Sequence, residues 1–248
     1  MAELIFVGTS SGKTVSERFH SSLFFRTDDY GLLVDAGDGI SKALLNAGIG
    51  FDELDGVIIT HTHADHIAGI ASLVTQMIID EREKDFEIFV YEKYRERLVD
   101  YLNLTLLFPE TFSFDLRING FQFDEEILIS ESLSVFARQN SHILNKRNIK
   151  TDFPFASASV VINAGNSNVV YTSDVGSPED LTLFDDMKYD VFISECEHIK
   201  PEDVLVFALN KNSVSFFVTH YTNEEETLKA FDESKIKVAN DKLRIGLN

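Results

Sequence analysis

The segment "GVIITHTHADHIAG", residues 56–69, places His61, His63, Asp65 and His66 within six positions directly behind an apolar run. Imidazole and carboxylate are the side chains that bind divalent ions or move protons near neutral pH. In an extended segment leaving a strand, residues i and i+2 point the same way. His61 and His63 can therefore face one ion. Ala64 lets the chain turn, and Asp65 and His66 then open the next helix, where Asp65 is also placed to cap free backbone N–H groups. Two ligands on one side and two on the other suggest two ions. Such a pair, about 3.5–4 Å apart, would polarise a substrate oxygen and supply a bridging hydroxide near neutral pH. The donor types suit zinc, with manganese and iron as alternatives.

Two ions need more ligands than one motif supplies. The remaining histidines are His20, His142, His198 and His220. His142 lies in "RQNSHILN" behind an expected strand, His220 ends "FFVTHY", and Asp174 ends "VVYTSD". Taken singly, each reads as structural at least as readily as functional. Together at strand ends they look like the missing ligands, and an aspartate can bridge because each oxygen can take a different ion. His20, in "ERFHSSL", falls at a strand start without that context and reads as structural.

The elements that must position these groups are short and alternate in type. Apolar runs predict strands over residues 4–7, 22–26, 32–35, 57–60, 87–91, 121–129, 132–137, 158–162, 169–172, 191–194, 215–219 and 243–245. Helical patterns cover 40–47 (closed by Gly48), 67–79, 93–101, 202–209 and 224–231. "VIITH", "VVYTSD" and "FFVTH" are buried-type strands that each deliver a polar ligand at the C-terminal tip, where α/β sheets usually place chemistry. Many β–β neighbours favour a pair of sheets flanked by helices over one parallel sheet. No linker divides the chain, so residues 1–248 read as one α/β domain.

Composition narrows the partners. Forty-one acids against twenty-two bases give a formal net charge of −19. There is no basic stripe to displace counterions from a nucleic acid; the nearest approaches are "KRNIK" at 146–150 and scattered bases in "YEKYRERL". A long polyanionic substrate is disfavoured. Uninterrupted apolar runs are only a few residues long, far short of a bilayer span, so no membrane span is expected. An acid at Glu3 and a brief apolar run do not resemble a secretory signal. A single cysteine, Cys196, excludes an intrachain disulfide and fits a reducing, cytoplasmic location. A homodimer is compatible with the sequence, though no pattern specifies one. Phe108, Phe112, Phe114 and Phe153 are the aromatic candidates for stacking a base, most of the 21 phenylalanines being needed for the core.

His61, His63, Asp65 and His66, followed by His142, Asp174 and His220, resemble the His-x-His-x-Asp-His signature and later ligands of the metallo-β-lactamase superfamily. The resemblance covers nearly the whole chain and includes "GTSSG", "LLVDAGDG" and "FDELDGVIITHTHADHIAGI". It implies an αββα sandwich, one metal on His61, His63 and His142, a second on Asp65, His66 and His220, and Asp174 bridging both. It also implies that Asp35 orients a ligand or loop rather than binding metal; a turn aspartate before Gly37 is the plainer alternative.

Within that superfamily the chain looks like the ribonuclease Z-like phosphodiesterase branch. Arg18 in "SERFHSSLFF" and the stretch "FISECEHIKPEDVLVFA" carry this likeness. Glu195 closes a strand and His198 stands 22 residues before His220. The carboxylate would raise the imidazole's pKa and let it protonate a leaving alkoxide; the plainer alternative is a polar residue entering a helix. Relatives that mature transfer RNA carry a long glycine-rich arm between the third histidine and the bridging aspartate, whereas His142 and Asp174 are only 32 residues apart here. The expectation is therefore a binuclear phosphodiesterase that hydrolyses a small phosphodiester, a cyclic nucleotide first among them, with Asp65, Glu195 and His198 as its catalytic residues. The alternatives are a transfer-RNA 3′-processing endonuclease, a thioester or lactone hydrolase, and a non-catalytic metal sensor.

Overall fold

The computed structural model describes residues 2–144, 148–211 and 213–248. Lys146 and Arg147 of the basic cluster lie outside the described residues. The first half of the chain forms β1 (Ala2–Gly8), β2 (Ser22–Arg26), β3 (Gly31–Val34), α1 (Ile40–Asn46), β4 (Gly56–Ile58), α2 (Ala64–Ile67), α3 (Ile70–Ile79), β5 (Phe86–Tyr91), α4 (Arg95–Leu104) and β6 (Leu116–Phe121). The second half forms β7 (Glu126–Leu128), β8 (Leu133–Gln139), β9 (Ala158–Ala164), β10 (Ser167–Tyr171), β11 (Val191–Glu195), α5 (Pro201–Leu209), β12 (Ser215–Thr219), α6 (Glu224–Phe231), β13 (Ile236–Val238) and β14 (Arg244–Leu247). Among the described residues, no helix is long and apolar enough to cross a membrane.

The strands make two sheets, ordered β14-β1-β2-β3-β4-β5-β6 and β13-β12-β11-β10-β9-β8-β7. β3 to β6 run parallel in the first sheet and β10 to β13 in the second, and the other neighbouring strands are antiparallel. Alternation along a strand explains why the runs are apolar throughout. In β1, Leu4 and Phe6 point into the space between the sheets, while Ile5 and Val7 face the helices. Both faces are covered, so neither needs polar residues. The inter-sheet layer joins Leu23, Phe25 and Val34 to Val135, Val160, Tyr171 and Phe217. Outside it, α1, α3 and α4 cover the first sheet through Leu44, Leu73, Met77 and Leu98. Val204, Ala208 and Phe231 of α5 and α6 cover the second. The result is an αββα sandwich.

Several boundaries differ from the sequence reading. The helix expected over 67–79 is broken at Ala68 and Gly69, between α2 and α3. The cause is a close crossing: the Gly69 N–H donates to the Ala36 carbonyl at 2.9 Å, and a Cβ on Gly69 would lie 2.1 Å from the Gly37 oxygen. The strand expected over 121–129 is two strands in different sheets, β6 and β7, with the chain crossing at Asp124 (φ 62°). The helix expected over 93–101 is shifted to Arg95–Leu104 behind a short 3-10 turn over Glu92–Tyr94.

Candidate metal centre

The parallel strands of both sheets end on the same side, and their tips deliver the titratable groups. Behind β4, a short extended segment carries His61 and His63, and α2 carries Asp65 and His66. Asp174 follows β10, Glu195 ends β11, and His220 follows β12. His142 comes from the loop after β8. Three of the linking positions are left-handed: Asp35 (φ 63°), Ser173 (φ 51°) and His220 (φ 53°). Non-glycine residues hold that conformation only where surrounding structure imposes it, so the strand-end turns here are tightly determined.

The side chains fall into two groups, His61/His63/His142/Asp174 and Asp65/His66/Asp174/His220, each with potential ligand atoms within 4.8 Å of one another. In the first, His63 Nδ1 lies 3.2 Å from His61 Nε2 and 3.1 Å from His142 Nε2. Asp174 Oδ2 lies 3.8 Å from His61 Nε2 and 3.6 Å from His142 Nε2. In the second, Asp174 Oδ1 lies 3.3 Å from His66 Nε2 and 3.2 Å from His220 Nε2, and Asp65 Oδ2 lies 3.4 Å from His66 Nε2. Asp174 thus turns one oxygen to each group.

These groups fit divalent cations. One His63 nitrogen has a single site for either a proton or a lone pair, so it cannot satisfy two converging imidazoles by hydrogen bonding alone. His66 Nε2 and Asp174 Oδ1 are buried without a hydrogen-bond partner, an arrangement that proteins seldom leave uncompensated. Burial and the neighbouring imidazoles hold His61 well below the ordinary histidine range, and burial brings His142 down to about 4. Both are neutral, metal-ready imidazoles at physiological pH. Burial would raise the Asp174 carboxyl, but His220 and His66 keep it well below its usual range. Burial would also lower His66, yet Asp174 and Asp35 hold it well above the ordinary value. The Asp174 and Asp35 carboxylates thus favour positive charge beside them.

Neighbouring groups fix the orientation of this set. His66 Nδ1 donates to Asp35 Oδ2 at 2.8 Å, which leaves Nε2 facing Asp174. Asp35 also accepts from the Thr60 amide at 2.8 Å and from the Thr60 hydroxyl. The same Thr60 hydroxyl also meets Ser173 Oγ at 2.7 Å, joining the tips of β4 and β10 across the sandwich. His198 stands over the groups, with Nδ1 3.9 Å from Asp174 Oδ2 and 3.5 Å from Glu195 Oε2. Glu195 is fully buried and accepts the His198 amide at 2.9 Å, so it holds the residue by its backbone as well as its ring. The Glu195 carboxylate raises His198 above the usual histidine value, against the desolvation of half-burial.

A cleft of about 280 Å³ opens over the groups, lined by Ser11, Gly12, Lys13, His63, Asp65, Asp174, Glu197, His198 and His220. Its size is at the small end of ligand sites. Lys13 on its rim was not singled out by sequence reasoning, nor were Asn140 and Asp180, whose hydrogen bonds tie the His142 loop to the Asp174 loop. His20 joins neither group; its Nδ1 meets the Ser11 carbonyl at 2.8 Å. Arg18 donates to the Thr9, Tyr221 and Thr222 carbonyls and stacks 4.0 Å from the Tyr221 ring, bracing the loop behind His220. Of the aromatic candidates, Phe114 is spent on the core, and Phe153 packs beside Tyr94 against the α4 side.

The sandwich and the strand-tip site define a metallo-β-lactamase-fold protein. The metallo-β-lactamase fold protein YhfI of Bacillus subtilis superposes with a TM-score of 0.78 at 20% identity, covering 98% of each chain. Residues 2–235 match the family described as Anti-Pycsar protein Apyc1, and the chain belongs to that family. The Anti-Pycsar protein Apyc1 of Bacillus phage 010DV004 is 27% identical over 244 residues, 90% of each chain. A ribonuclease Z of Bradyrhizobium sp. (strain ORS 278) is 42% identical over 77 residues, 31% of this chain and 26% of that protein. The chain thus matches only about a quarter of that relative's length.

Proposed function

We propose that residues 1–248 act as one cytoplasmic, binuclear metal-dependent phosphodiesterase domain whose substrate is a small phosphodiester, a cyclic nucleotide first among them. The observation that carries the reading is the Asp174 carboxylate. Its two oxygens face separate donor groups, with His198 poised beside them. His61, His63 and His142 with Asp174 would hold one ion, and Asp65, His66 and His220 with Asp174 the other. The imidazole-rich donor sets favour zinc over harder ions. Bound there, two divalent ions supply positive charge against phosphoryl oxygens and lower the pKa of water to near neutrality.

The chain's own residues do the rest. Asp65, the more accessible carboxylate of the second group, orients the attacking water and takes its proton. Glu195 keeps a proton on His198 Nδ1, and His198 Nε2 hands its proton to the leaving alkoxide as the phosphorus–oxygen bond breaks. Lys13 brings a cation to the rim of an otherwise acidic cleft. The small cleft and the short connection between His142 and Asp174, 31 residues of which the β9–β10 hairpin takes fourteen, both support a small substrate. Membership of the Apyc1 family and the ribonuclease Z matches both agree with phosphodiester chemistry.

The test is metal analysis followed by one panel: 3′,5′- and 2′,3′-cyclic nucleotides, pre-tRNA, bis-p-nitrophenyl phosphate and a lactone. Two ions per chain with preferred turnover of a cyclic nucleotide is the expected result. Preferred cleavage of pre-tRNA would replace the substrate with that of the ribonuclease Z relatives. Two bound ions with no hydrolysis of any member would leave a metal-binding sensor.

A further inference from the structure

His142, like His61 and Asp174, lies three residues past the end of its strand, so contacts outside the sheet ladder must hold it. Asn140 and Asp180 do so from opposite sides. Asn140 is 4% exposed and all of its side-chain polar atoms are engaged. Its Oδ1 accepts the His142 amide at 3.1 Å and the Ser157 hydroxyl. Its Nδ2 donates to Ser159 Oγ at 3.0 Å and to the Asp174 carbonyl at 2.9 Å. One amide group thus touches the backbone of both His142 and Asp174.

Asp180, 7% exposed, makes a second connection between the same loops, at Ser141 on one and at Gly176 and Ser177 on the other. Its Oδ2 accepts the Ser141 hydroxyl at 2.7 Å, the Ser141 amide at 3.1 Å, the Gly176 amide at 2.8 Å and the Ser177 amide at 3.3 Å. The two loops are in van der Waals contact at this point: a Cβ on Gly176 would lie 2.2 Å from the Ser141 carbonyl oxygen. Residues 140–142 and 174–177 are therefore cross-linked twice into one rigid unit. The second donor group has its own supports. His66 and Asp65 sit in α2 with Asp35 behind His66, and His220 directly follows β12.

We infer that Asn140 and Asp180 are positioning residues that set the metal affinity of the His61/His63/His142/Asp174 group more strongly than that of the Asp65/His66/Asp174/His220 group, because the loop of His142 serves the first alone while Asp174 serves both. The inference rests on reading these side chains as metal ligands. Partners that orient ligands without touching the ion are worth about 10–100-fold in metal affinity. Removing either latch should therefore weaken the first site by that factor and the second, which feels it only through the shared Asp174, by less.

The experiment is cobalt(II) titration, read by its visible absorption and by chelator competition, on the wild type, Asn140→Ala, Asp180→Asn and the milder Ser141→Ala. Urea unfolding of the metal-free proteins checks the fold. The expected result is two separable binding steps, with one weakened about 10–100-fold in Asn140→Ala and Asp180→Asn, less in Ser141→Ala, and the other weakened less in each variant. Folded variants with both steps unchanged, or both weakened alike, would overturn the inference. Should the two stronger variants fail to fold, Ser141→Ala decides it alone. A wild type that binds two ions and hydrolyses nothing would defeat the phosphodiesterase reading without touching this one, because no turnover is measured.

Discussion

Asp35 Oδ2 and His66 Nδ1 lie 2.8 Å apart, and both side chains are completely buried. Asp35 itself sits in a left-handed turn that no glycine relieves, so the contact is imposed from both ends. Replacing Asp35 by Asn keeps the shape but exchanges a carboxylate for an amide that can turn its NH2 toward His66. The tautomer that presents Nε2 to Asp174 is then no longer enforced. Asp35→Asn should weaken the second site by about 10–100-fold, read as metal retained during dialysis against a chelator of graded strength.

His198→Ala should retain both ions and lose about 10²–10⁴-fold in turnover of a cyclic nucleotide, whose alkoxide leaving group needs a proton. Turnover of bis-p-nitrophenyl phosphate should fall much less, because nitrophenolate departs without one. Equal losses on the two substrates would remove the proton-donor role and leave His198 a binding residue.

Lys13 lines the rim of the cleft and brings a long-stemmed cation to it. Lys13→Met should raise KM for an anionic substrate with little change in kcat, and should flatten the dependence of kcat/KM on ionic strength. Lys13→Arg should restore most of the effect. A kcat loss with unchanged KM would contradict this placement.

A different pair of groups gives a pH dependence. Asp29, in the β2–β3 turn, accepts from the Ser132 hydroxyl and from the Glu131 amide at 3.1 Å, tying the first sheet to the β7–β8 turn of the second. The Ser132 hydrogen bond leads in holding its carboxyl down at about 2, from 3.8. A depressed acid contributes stability that is present above 3.8 and is lost as pH falls toward 2. Solvent exposure keeps the contribution within about 0–1 kcal/mol. Asp29→Asn should therefore lower the urea midpoint slightly at pH 7, and the difference should vanish near pH 2.

How much of this was legible beforehand depends on how far apart the interacting residues lie. His61 to His66 announce themselves because the relevant geometry is local: a strand end and a helix start fix where four side chains point. Asp174 and His220 were legible through the echo of Thr-containing strand tips. The break at Gly69 was not, since helical periodicity continues through it and only the crossing of residues 36 and 37 forbids an unbroken helix. The strand Leu116–Phe121 hid behind Asn119 and Gly120, which read as turn residues, and its half-exposed pattern marks the edge of the first sheet. Asn140 and Asp180 gave no signal at all. Each ties its loop to the other through a peptide group more than thirty residues away along the chain, and nothing in a side chain's identity says which backbone it will meet.

The sandwich halves divide the donors evenly. His61 and His63 from the first sheet meet His142 and Asp174 from the second; Asp65 and His66 from the first meet Asp174 and His220 from the second. Each ion would thus be a rivet through the seam, and its binding energy would be spent on keeping the halves docked. Stripping the metal should loosen that seam first at the strand tips, where protease nicking and amide exchange would report it. A fragment that keeps only one sheet, however well folded, would retain half of each rivet hole and hold neither ion.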